Sequence, residues 1–259
     1  MLQIDQLMRS FGKVRAVDGI SMSVPPGELR ALIGPNGAGK STLFSLVTGH
    51  LQPEQGTIAF DGRRIERMRP AARARLGIAI TFQSVHLFQG MTSLENVMVG
   101  AHSWTRHEFV EAAFRLPRHF REESRIRERA RAALAEAGLE RWAATRAESL
   151  PLGKQRALQI ARALCGNPRL LLLDEPAAGL RGEERRELGA LLADLHAQGL
   201  TMLLVEHDIG FVCDVADRVT VLDMGRVIAE GTPEQVREDE AVVAAYLGSV
   251  TADDAPGSR

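Results

Sequence analysis

Short apolar runs alternate along the chain with longer segments in which apolar residues recur at helical spacing. Residues 170–173, 201–205 and 219–222 are such runs, and residues 154–165 and 183–198 have the helical pattern. Runs this short are too brief for helices and are typical of strands buried on both faces of a parallel sheet. Because strands that alternate with helices favour a mostly parallel sheet, the pattern predicts an α/β fold.

Near the N-terminus the pattern favours strands joined by tight turns. Residues 2–8 and 16–24 are predicted strands that are connected by a turn at Gly12. Residues 56–60 and 77–82 are further strand candidates. We therefore expect an antiparallel β region at this end of the chain, beside the parallel sheet.

From residue 93 to about residue 139 the pattern becomes helical. Residues 122–137 are rich in Arg, Glu and Ala, and their apolar side chains fall on one face of a helix. These side chains are Ile126, Ala130, Ala133, Leu134 and Ala137. We interpret the segment as a solvated helix with a modest apolar stripe, in preference to an arm that binds nucleic acid.

The C-terminal part is predicted to contain a hairpin and two short helices. Residues 226–229 follow a turn after the last apolar run and complete the hairpin, and residues 233–237 and 240–247 are the helix candidates. We expect a disordered tail from about residue 249 to residue 259, because its last nine residues are polar and include Gly and Pro.

Composition excludes several classes of protein. The 259 residues are enough for one large domain or two small ones, and 45% apolar with 25% charged residues is ordinary for a globular protein. The net charge of −1 offers no general attraction for nucleic acid or anionic lipid.

The cysteines and the apolar stretches narrow the cellular setting. Cys165 and Cys213 are not spaced like metal ligands, so we expect neither a disulfide framework nor a zinc site, and a reducing compartment fits. No signal peptide is visible. No apolar stretch approaches the roughly 18 residues that a membrane helix needs, so any membrane role would depend on a partner.

The most informative motif follows a predicted buried strand at residues 28–33. It matches the phosphate-binding pattern G-x-x-x-x-G-K-[ST] without a mismatch. Its residues are Gly34, Pro35, Asn36, Gly37, Ala38, Gly39, Lys40, Ser41 and Thr42. Glycines let backbone N–H groups turn toward a phosphate, Lys40 reaches the outer phosphates, and the hydroxyl of Ser41 can bind Mg²⁺. A helix over residues 40–50 adds its positive end, so we expect a nucleoside triphosphate site in preference to a glycine turn with a surface lysine.

Two adjacent carboxylates form the second strong signal. Asp174 and Glu175 follow the apolar run at residues 170–173, at the edge of a parallel sheet where ligands bind. Asp174 can hold Mg²⁺ directly or through water, and Glu175 can act as general base on a water. The alternative is an acidic pair that caps a helix after the strand.

Gln83 and His207 are candidate site residues because each one follows a predicted strand. Gln83 follows the predicted strand 77–82, where its amide can contact both the metal and the attacking water. His207 follows the run at residues 201–205, where an imidazole can reach the terminal phosphate. Taken singly, the glutamine would be a surface residue and the histidine a structural one.

In this order the motifs resemble the ATP-binding subunit of an ABC transporter, from residue 2 to about residue 248. A further motif, the signature segment, stands between Gln83 and Asp174, and its residues are Leu150, Pro151, Leu152, Gly153, Lys154 and Gln155. More narrowly, the chain resembles the ATPase of branched-chain amino acid importers. The finer match rests on residues 81–88, 91–97, 174–180, 206–208 and 231–234 and on the extended segment 103–124.

The resemblance implies one ATP-binding domain over residues 1–248, with a P-loop NTPase core at about 1–90 and 153–248 and an inserted helical subdomain at about 91–152. Phe11 would stack on adenine, the alternative being a core phenylalanine. The cofactors would be ATP and Mg²⁺, with Ser41, Gln83 and Asp174 at the metal. Lys40, Gln83, Glu175 and His207 would be the catalytic residues.

The resemblance also implies partners. Two ATPase subunits, identical or different, would pack head to tail, and each ATP would lie between one phosphate loop and the other subunit's signature segment. Two polytopic membrane subunits would each place a short helix in a groove beside the helical subdomain, and a solute-binding protein would act indirectly. The chain would be cytoplasmic, peripheral on the inner face of the cell membrane, without a nucleic-acid partner.

The signature segment departs from the family pattern, which is close to Leu-Ser-Gly-Gly-Gln or Leu-Ser/Ala-Tyr-Gly. Pro151 stands where a hydroxyl would contact the partner's terminal phosphate, and proline has neither hydroxyl nor N–H. Proline remains compatible with the first turn of a helix. Lys154 adds a cation that could compensate in part, and Arg181 stands where Asn or Asp is usual. We hypothesise that the ATP site completed by this segment is the weaker one, and neutral drift is the alternative.

Two rival functions stay open at this stage. ATPases of lipid, lipopolysaccharide or urea systems have similar sequences. A soluble ABC ATPase that acts on ribosomes or DNA is the rival from another class. The chain has room for one such domain and too short an interval between Gln83 and Leu150 for a long coiled coil, and its charge is near neutral, which counts against that rival.

Overall fold

In the computed structural model, which describes residues 1–103 and 117–253, ten strands form two sheets. The strands are β1 (Leu2–Phe11), β2 (Val14–Val24), β3 (Leu29–Ile33), β4 (Gln55–Phe60), β5 (Arg63–Arg64), β6 (Ile78–Thr81), β7 (Leu170–Asp174), β8 (Thr201–Val205), β9 (Arg218–Asp223) and β10 (Arg226–Gly231). The helices are α1 (Lys40–Thr48), α2 (Pro70–Ala74), α3 (Ser93–Val99), α4 (Pro117–Glu136), α5 (Leu152–Cys165), α6 (Gly182–Ala197), α7 (Ile209–Val215), α8 (Pro233–Glu238) and α9 (Glu240–Asp253).

The larger sheet has the strand order β10-β9-β3-β8-β7-β6. Adjacent strands in this sheet are parallel, except that β10 pairs antiparallel with β9 in a hairpin. The register places Leu173 of β7 opposite Leu204 of β8 and Thr81 of β6. Because β3, β6, β7 and β8 are parallel, they all end at the same edge of the sheet, and this edge carries the predicted site.

The continuous apolar runs are explained by burial of this sheet on both faces. Leu171 and Leu173 of β7 pack against the helices α5 and α6. Leu170 and Leu172 pack toward the second sheet and α1. Successive side chains of a strand point to opposite faces, so a strand that is covered on both faces needs apolar residues at every position.

The smaller sheet has the order β2-β1-β4-β5 and is antiparallel. Its inward side chains, which include Leu2, Ile4 and Ile58, share one buried cluster with Leu43 and Leu46 of α1. The predicted α/β fold with a parallel sheet and an antiparallel β region is therefore confirmed. The α1 helix lies between the two sheets and fixes the position of the segment that precedes it.

The helices α3, α4 and α5 pack together on the other side of the large sheet. The α3 helix begins with a capping box, in which Thr92 and Glu95 bond each other's backbone N–H groups. Of the predicted stripe on α4, Ala130, Ala133, Leu134 and Ala137 are buried, and Ile126 packs against the same cluster.

The structure and the sequence patterns differ at the shorter elements and at the C-terminus. The patterns do not predict α2, α7 or the two-residue strand β5. The last helix, α9, extends to Asp253, so residues 249–253, which we expected in a disordered tail, are helical. Its first half contains several alanines, which have the highest helix propensity. The remaining tail residues, 254–259, and residues 104–116 of the extended segment 103–124 lie outside the described residues.

A membrane span requires a helix that is both long and apolar. Within residues 1–103 and 117–253, none of the helices meets both conditions.

Candidate functional site

The phosphate loop connects β3 to α1 at the edge where the parallel strands end. All residues of β3 are buried. Gly39 has φ 102°, and a Cβ there would lie 2.2 Å from the carbonyl oxygen of Ala16, so only glycine fits. Gly37 has φ 80°, and a Cβ there would meet no atom within 4 Å. The loop is therefore held tightly at the start of α1 and is open at Gly37, where backbone can approach a ligand.

Lys40 lies back across the loop. Its Nζ donates to the carbonyl oxygens of Gly34 at 2.6 Å and Pro35 at 3.0 Å, and the residue is 7% exposed. Burial lowers the pKa of Lys40, and the charge of Glu175 opposes that shift. An ammonium group has three N–H donors, so these bonds leave one donor for an anion. Gly39, at the N-cap of α1, provides no side-chain acceptor for the first N–H groups of the helix, which makes this a favourable position for a phosphate.

The remaining loop residues are accessible to different degrees. Asn36, Gly37 and Ser41 are exposed, and Thr42 is half-buried. Ala38 is buried, and its carbonyl accepts a hydrogen bond from the N–H of Gly225 at 3.0 Å. The loop is thus anchored to the turn between β9 and β10 and presents Ser41 to solvent beside Lys40.

Asp174 and Glu175 stand where β7 ends. Asp174 is the last residue of the strand and lies opposite Val205 of β8. Burial raises the pKa of the Asp174 carboxyl, and the charge of Glu175 raises it further. Glu175 has φ 44°, in the left-handed region, and its N–H donates to the carbonyl of Val205 at 2.9 Å. This hydrogen bond fixes the backbone of Glu175 to the end of the neighbouring strand.

Three of the predicted residues gather around the Glu175 carboxylate. Gln83 Nε2 donates to Glu175 Oε2 at 2.6 Å. His207 Nδ1 lies 3.9 Å from the same oxygen, beyond hydrogen-bond distance, and its side chain is exposed. Lys40 is near enough for its pKa to respond to the Glu175 charge. The ends of β3, β6, β7 and β8 therefore bring Lys40, Gln83, Glu175 and His207 to one place.

Two residues of this region were overlooked in the sequence. Glu206 is 1% exposed, and its carboxylate accepts from the N–H groups of Ala177 at 3.0 Å and His207 at 3.2 Å. Burial raises the pKa of the Glu206 carboxyl. The signal for Glu206 was a carboxylate directly after the mainly apolar run at residues 201–205. The second overlooked residue is Arg156 on α5, which donates to the carbonyl of Gln83 and for which the sequence has no local signal.

Phe11 ends β1 and is 47% exposed, so it is not a core residue. The guanidinium of Arg9 lies 5.2 Å from the centroid of its ring. The same hairpin places the Ala16 carbonyl beside Gly39 of the phosphate loop. A second contact joins Asp18 N–H to the Gly225 carbonyl at 2.8 Å. The exposed ring is therefore carried by a hairpin that is attached to the loop.

The signature segment lies at the N-terminus of α5. Leu150 is buried, Leu152 is exposed, and Pro151 is the N-cap residue, with φ −54° and ψ 153°. The Pro151 carbonyl accepts the first helical hydrogen bond, from Gln155 N–H at 2.9 Å, and the Gln155 side chain donates to the Leu150 carbonyl at 2.8 Å. Proline is thus accommodated without loss of the helix.

Two carboxylates of α6 bind the donors of this segment. Glu184 Oε1 accepts from Gly153 N–H at 3.1 Å, and Glu187 Oε2 accepts from Lys154 Nζ at 3.0 Å. Lys154, which the sequence suggested as partial compensation for the missing hydroxyl, is therefore paired with a carboxylate of its own chain. Arg181, which precedes α6, makes no side-chain cap bond, in contrast to the Asn or Asp of the family pattern.

A mainly apolar groove of 620 Å³ lies between the helical region and the core. Its lining includes Pro70, Phe82, Phe88 and Val99, and Phe82 and Phe88 are exposed. The ring of Phe82 makes edge contacts with His50 at 6.0 Å and His86 at 6.4 Å between centroids. The groove begins next to Gln83 and so adjoins the site around Glu175.

Comparisons with known proteins show which family the chain resembles in sequence and in fold. A model of the ABC transporter family matches residues 17–178, and one described as a branched-chain amino acid ATP-binding cassette transporter matches residues 226–252. The chain is 41% identical over 249 residues to the high-affinity branched-chain amino acid transport ATP-binding protein BraF of Pseudomonas aeruginosa, which covers 96% of this chain and 98% of the relative. The lipopolysaccharide export system ATP-binding protein LptB of Haemophilus influenzae is 33% identical, with 96% and 97% covered.

Two solved structures extend the comparison. A nucleotide-free ATP-binding cassette from an ABC transporter superposes with a TM-score of 0.83 at 31% identity, over 95% of this chain and 98% of that one. A dimeric cassette in a post-hydrolysis state, bound to ADP and phosphate, superposes with a TM-score of 0.73 at 26% identity, over 90% and 99%.

Proposed function

The chain belongs to the family of ABC transporter ATP-binding proteins, and we propose that it is the ATP-hydrolysing motor subunit of an importer for branched-chain or related amino acids. The observation that carries the proposal is the convergence of Lys40, Gln83 and His207 on Glu175 at the edge where the strands end. The similarity to BraF, which is named as a branched-chain amino acid transport protein, supports this class of solute.

Hydrolysis requires a water to attack the terminal phosphate of ATP, which yields ADP and phosphate. The phosphate loop and Lys40 hold the phosphates, and the ring of Phe11 stacks on adenine. Glu175 takes the proton of the attacking water, since its carboxylate is accessible at the edge of the sheet. Gln83 orients this carboxylate through its 2.6 Å bond, and His207 is positioned to donate to the terminal phosphate.

The residues at this edge fit Mg²⁺. Ser41 offers a hydroxyl, Gln83 an amide oxygen and Asp174 a carboxylate, all of which are the oxygen ligands that Mg²⁺ prefers. This ion binds with few protein ligands and completes its coordination with water and substrate phosphates. When bound, Mg²⁺ neutralises charge on the phosphates. We infer that Ser41 and Asp174 are its main protein ligands, with Gln83 contributing once ATP is present.

ABC ATPases act as dimers with membrane components, and the finer arrangement is part of the proposal. A second ATPase subunit, either a copy of this chain or a relative, packs head to tail so that each signature segment closes the other subunit's phosphate site. A short helix of each membrane subunit occupies the groove lined by Phe82 and Phe88, because exposed aromatic side chains favour an apolar partner. This arrangement makes the chain peripheral on the cytoplasmic face of the membrane.

The two faces of the subunit are then unequal. The loop face has Lys40 and Glu175 in place, whereas the signature face lacks a hydroxyl at Pro151 and holds Lys154 in an ion pair. With a relative as the partner ATPase, we infer that the ATP site completed by this chain's signature segment is the weaker of the two; with a copy of this chain as the partner, both sites are affected alike. If the partner ATPase has a complete signature segment, the site that contains this chain's Lys40 retains full competence.

The test is isolation of the assembled transporter. We expect the chain to co-purify with two polytopic membrane proteins and a second ATPase, and the complex in vesicles to accumulate labelled leucine when ATP and the solute-binding protein are supplied. A complex with Lys40→Ala is the matched control and is expected to accumulate none. ATP hydrolysis that is stimulated by a lipid and not by a loaded solute-binding protein would favour a lipid or lipopolysaccharide system, the class to which LptB belongs by name.

A further inference from the structure

One face of α5 holds the chain segment that follows β6. Arg156 donates to the carbonyl of Gln83, Gln159 Nε2 donates to the carbonyl of Ser84 at 3.0 Å, and Arg162 donates to the carbonyl of His86 at 2.7 Å. These side chains are spaced three residues apart, which places them on one side of the helix. We call this set of three side chains the α5 ladder. It fixes the backbone of the segment whose second residue, Gln83, contacts Glu175 through its side chain.

Arg156 makes the most connections of the three. Its second terminal nitrogen donates to the carbonyl of Ala178 at 3.1 Å, so that one guanidinium joins the segment after β6 to the segment after β7. Arg156 is 7% exposed, and burial lowers its pKa, opposed by the charges of Glu206 and Glu175. A buried cation is costly unless it is hydrogen-bonded, and the two bonds from Arg156 to carbonyls offset part of that cost.

The geometry explains why an arginine stands here. Its planar fork presents five donors in fixed directions and can reach two carbonyls at once, whereas a lysine is a single point of charge on a flexible stem. One of the two carbonyls belongs to Gln83 itself, and the other belongs to Ala178, three residues after Glu175. A shift of either segment would lengthen the 2.6 Å bond between Gln83 and Glu175.

The ladder also starts near the signature segment. Pro151 is the N-cap of α5, and Arg156 lies five residues further along the same rigid helix, a rise of about 7 Å. A displacement of the signature segment that moves α5 as a rigid body would therefore also move the side chains that are bonded to the carbonyls of Gln83, Ser84 and His86. The groove is reached as well, because the guanidinium of Arg162 lies 5.7 Å from the ring centroid of Phe88.

We propose that Arg156 is a positioning residue for ATP hydrolysis, which holds the Gln83 amide on the Glu175 carboxylate and links that contact to the signature segment through α5. The proposal rests on the roles proposed above for Gln83 and Glu175. Arg156 touches neither ATP nor water in it and acts through Gln83 alone. Gln159 has the same role with a single bond and therefore a smaller effect.

The experiment is a double-variant cycle on the ATPase activity of the assembled complex, with kcat and KM for ATP measured separately. Arg156→Lys, Gln83→Ala and the double variant are compared. Loss of charge-assisted bonds to the Gln83 segment is expected to lower kcat about tenfold, with KM within about twofold of its original value. In the Gln83→Ala background the same Arg156→Lys change should have no further effect on kcat, because the amide through which it acts is gone.

Arg129→Lys is the matched control. Arg129 donates to the carbonyl of Leu164 at the other end of the same helix, at 2.9 Å, and its ion-pair partner is Glu136 of α4. Its replacement is expected to leave kcat unchanged. Gln159→Leu is a second variant that leaves the buried charge in place, in case Arg156→Lys fails to fold. It should lower kcat about twofold to threefold, again only when Gln83 is present.

Each measured result supports or overturns one of the proposed roles. If the losses from Arg156→Lys and Gln83→Ala multiply, or if Arg156→Lys behaves like Arg129→Lys, the ladder has a structural role only and the proposal is overturned. If Gln83→Ala keeps full kcat, the assigned role of Gln83 is wrong and the ladder has no route to Glu175. ATPase activity that survives Glu175→Gln would instead remove the proposed catalytic base, which is a failure of the site and not of the ladder.

Discussion

The phosphate loop and the signature segment are both followed by a helix, yet their positive groups are held in opposite ways. At the phosphate loop, Lys40 is bonded to the neutral carbonyls of Gly34 and Pro35. At the signature segment, Lys154 is bonded to the carboxylate of Glu187, and a second carboxylate, from Glu184, accepts from the helix N-terminus. A phosphate that reaches Lys40 can use the donor that the two carbonyls leave, whereas one that reaches Lys154 must compete with a full negative charge.

In the proposed head-to-tail dimer, the phosphate loop of this chain (the loop half) and its signature segment (the signature half) belong to different ATP sites. We infer that these two halves are prepared to different degrees for binding phosphate. The loop half has a buried lysine and an open backbone at Gly37 before ATP arrives, and such preorganisation lowers the cost of binding. The signature half has Pro151 in place of a hydroxyl, and two of its donors, Gly153 N–H and Lys154 Nζ, are bonded within the chain. In the proposed dimer, closure on ATP would then derive more of its free energy from the loop half.

The largest effect is expected from Glu175→Gln, which removes the base and preserves the shape of the side chain. General base catalysis contributes about 10²- to 10⁴-fold, so kcat of the assembled complex should fall by that factor while ATP still binds. The ATP-bound dimer should accumulate and be visible by size-exclusion chromatography. Glu54→Gln, at an exposed position directly before β4, is the control. Unchanged turnover would mean that the loop half has another base.

Lys40→Ala tests the binding side of the same half. Loss of the buried ammonium removes one or more charge-assisted bonds to phosphate, each of about 1.5–3 kcal/mol, so ATP affinity should fall about a hundredfold. The affinity of the isolated subunit for a fluorescent ATP analogue is the measurement. Arg63→Ala, an exposed cation on β5, should bind the analogue normally. If both variants bind equally well, the loop has been assigned the wrong role.

A smaller effect is expected on the signature half. Glu184→Ala removes the acceptor of the Gly153 N–H, which leaves the start of α5 without a cap. Helix caps contribute about 0.5–2 kcal/mol, so thermal denaturation of the isolated subunit should show a Tm lower by a few degrees. Glu183→Ala, whose side chain is exposed in the first turn of α6, should leave Tm nearly unchanged. Equal Tm values for the two variants would show that the signature segment is not held by Glu184.

Much of the loop half could be predicted from the sequence because its determinants are local. Gly34 to Thr42 form one unbroken motif after a buried strand, and Asp174 and Glu175 directly follow another. The carboxyl ends of parallel strands meet at one edge, which also brought Gln83 and His207 to the site. The sequence therefore sufficed wherever strand order alone determined which residues meet.

The rest depended on packing between helices, which leaves no local pattern. Arg156 is bonded to Gln83, which lies 73 positions away in the sequence, and Lys154 is bonded to Glu187, which lies 33 positions away. The sequence suggested that Lys154 could assist a phosphate, and only the packing of α5 on α6 shows its carboxylate partner. Glu206 could have been recognised as a buried charge after an apolar strand, but its two N–H partners depend on the turns after β7 and β8.

The central claim is that the signature half is the weaker one because Pro151 lacks a hydroxyl, and Pro151→Ser tests it directly. Serine can donate to the partner's phosphate and also cap α5. One regained charge-assisted bond of about 1.5–3 kcal/mol predicts that ATP turnover of the assembled complex rises about tenfold or more. Pro151→Ala, which removes the ring without adding a hydroxyl, should leave turnover unchanged. An ATPase rate that is the same for Pro151→Ser and the original complex would contradict the account.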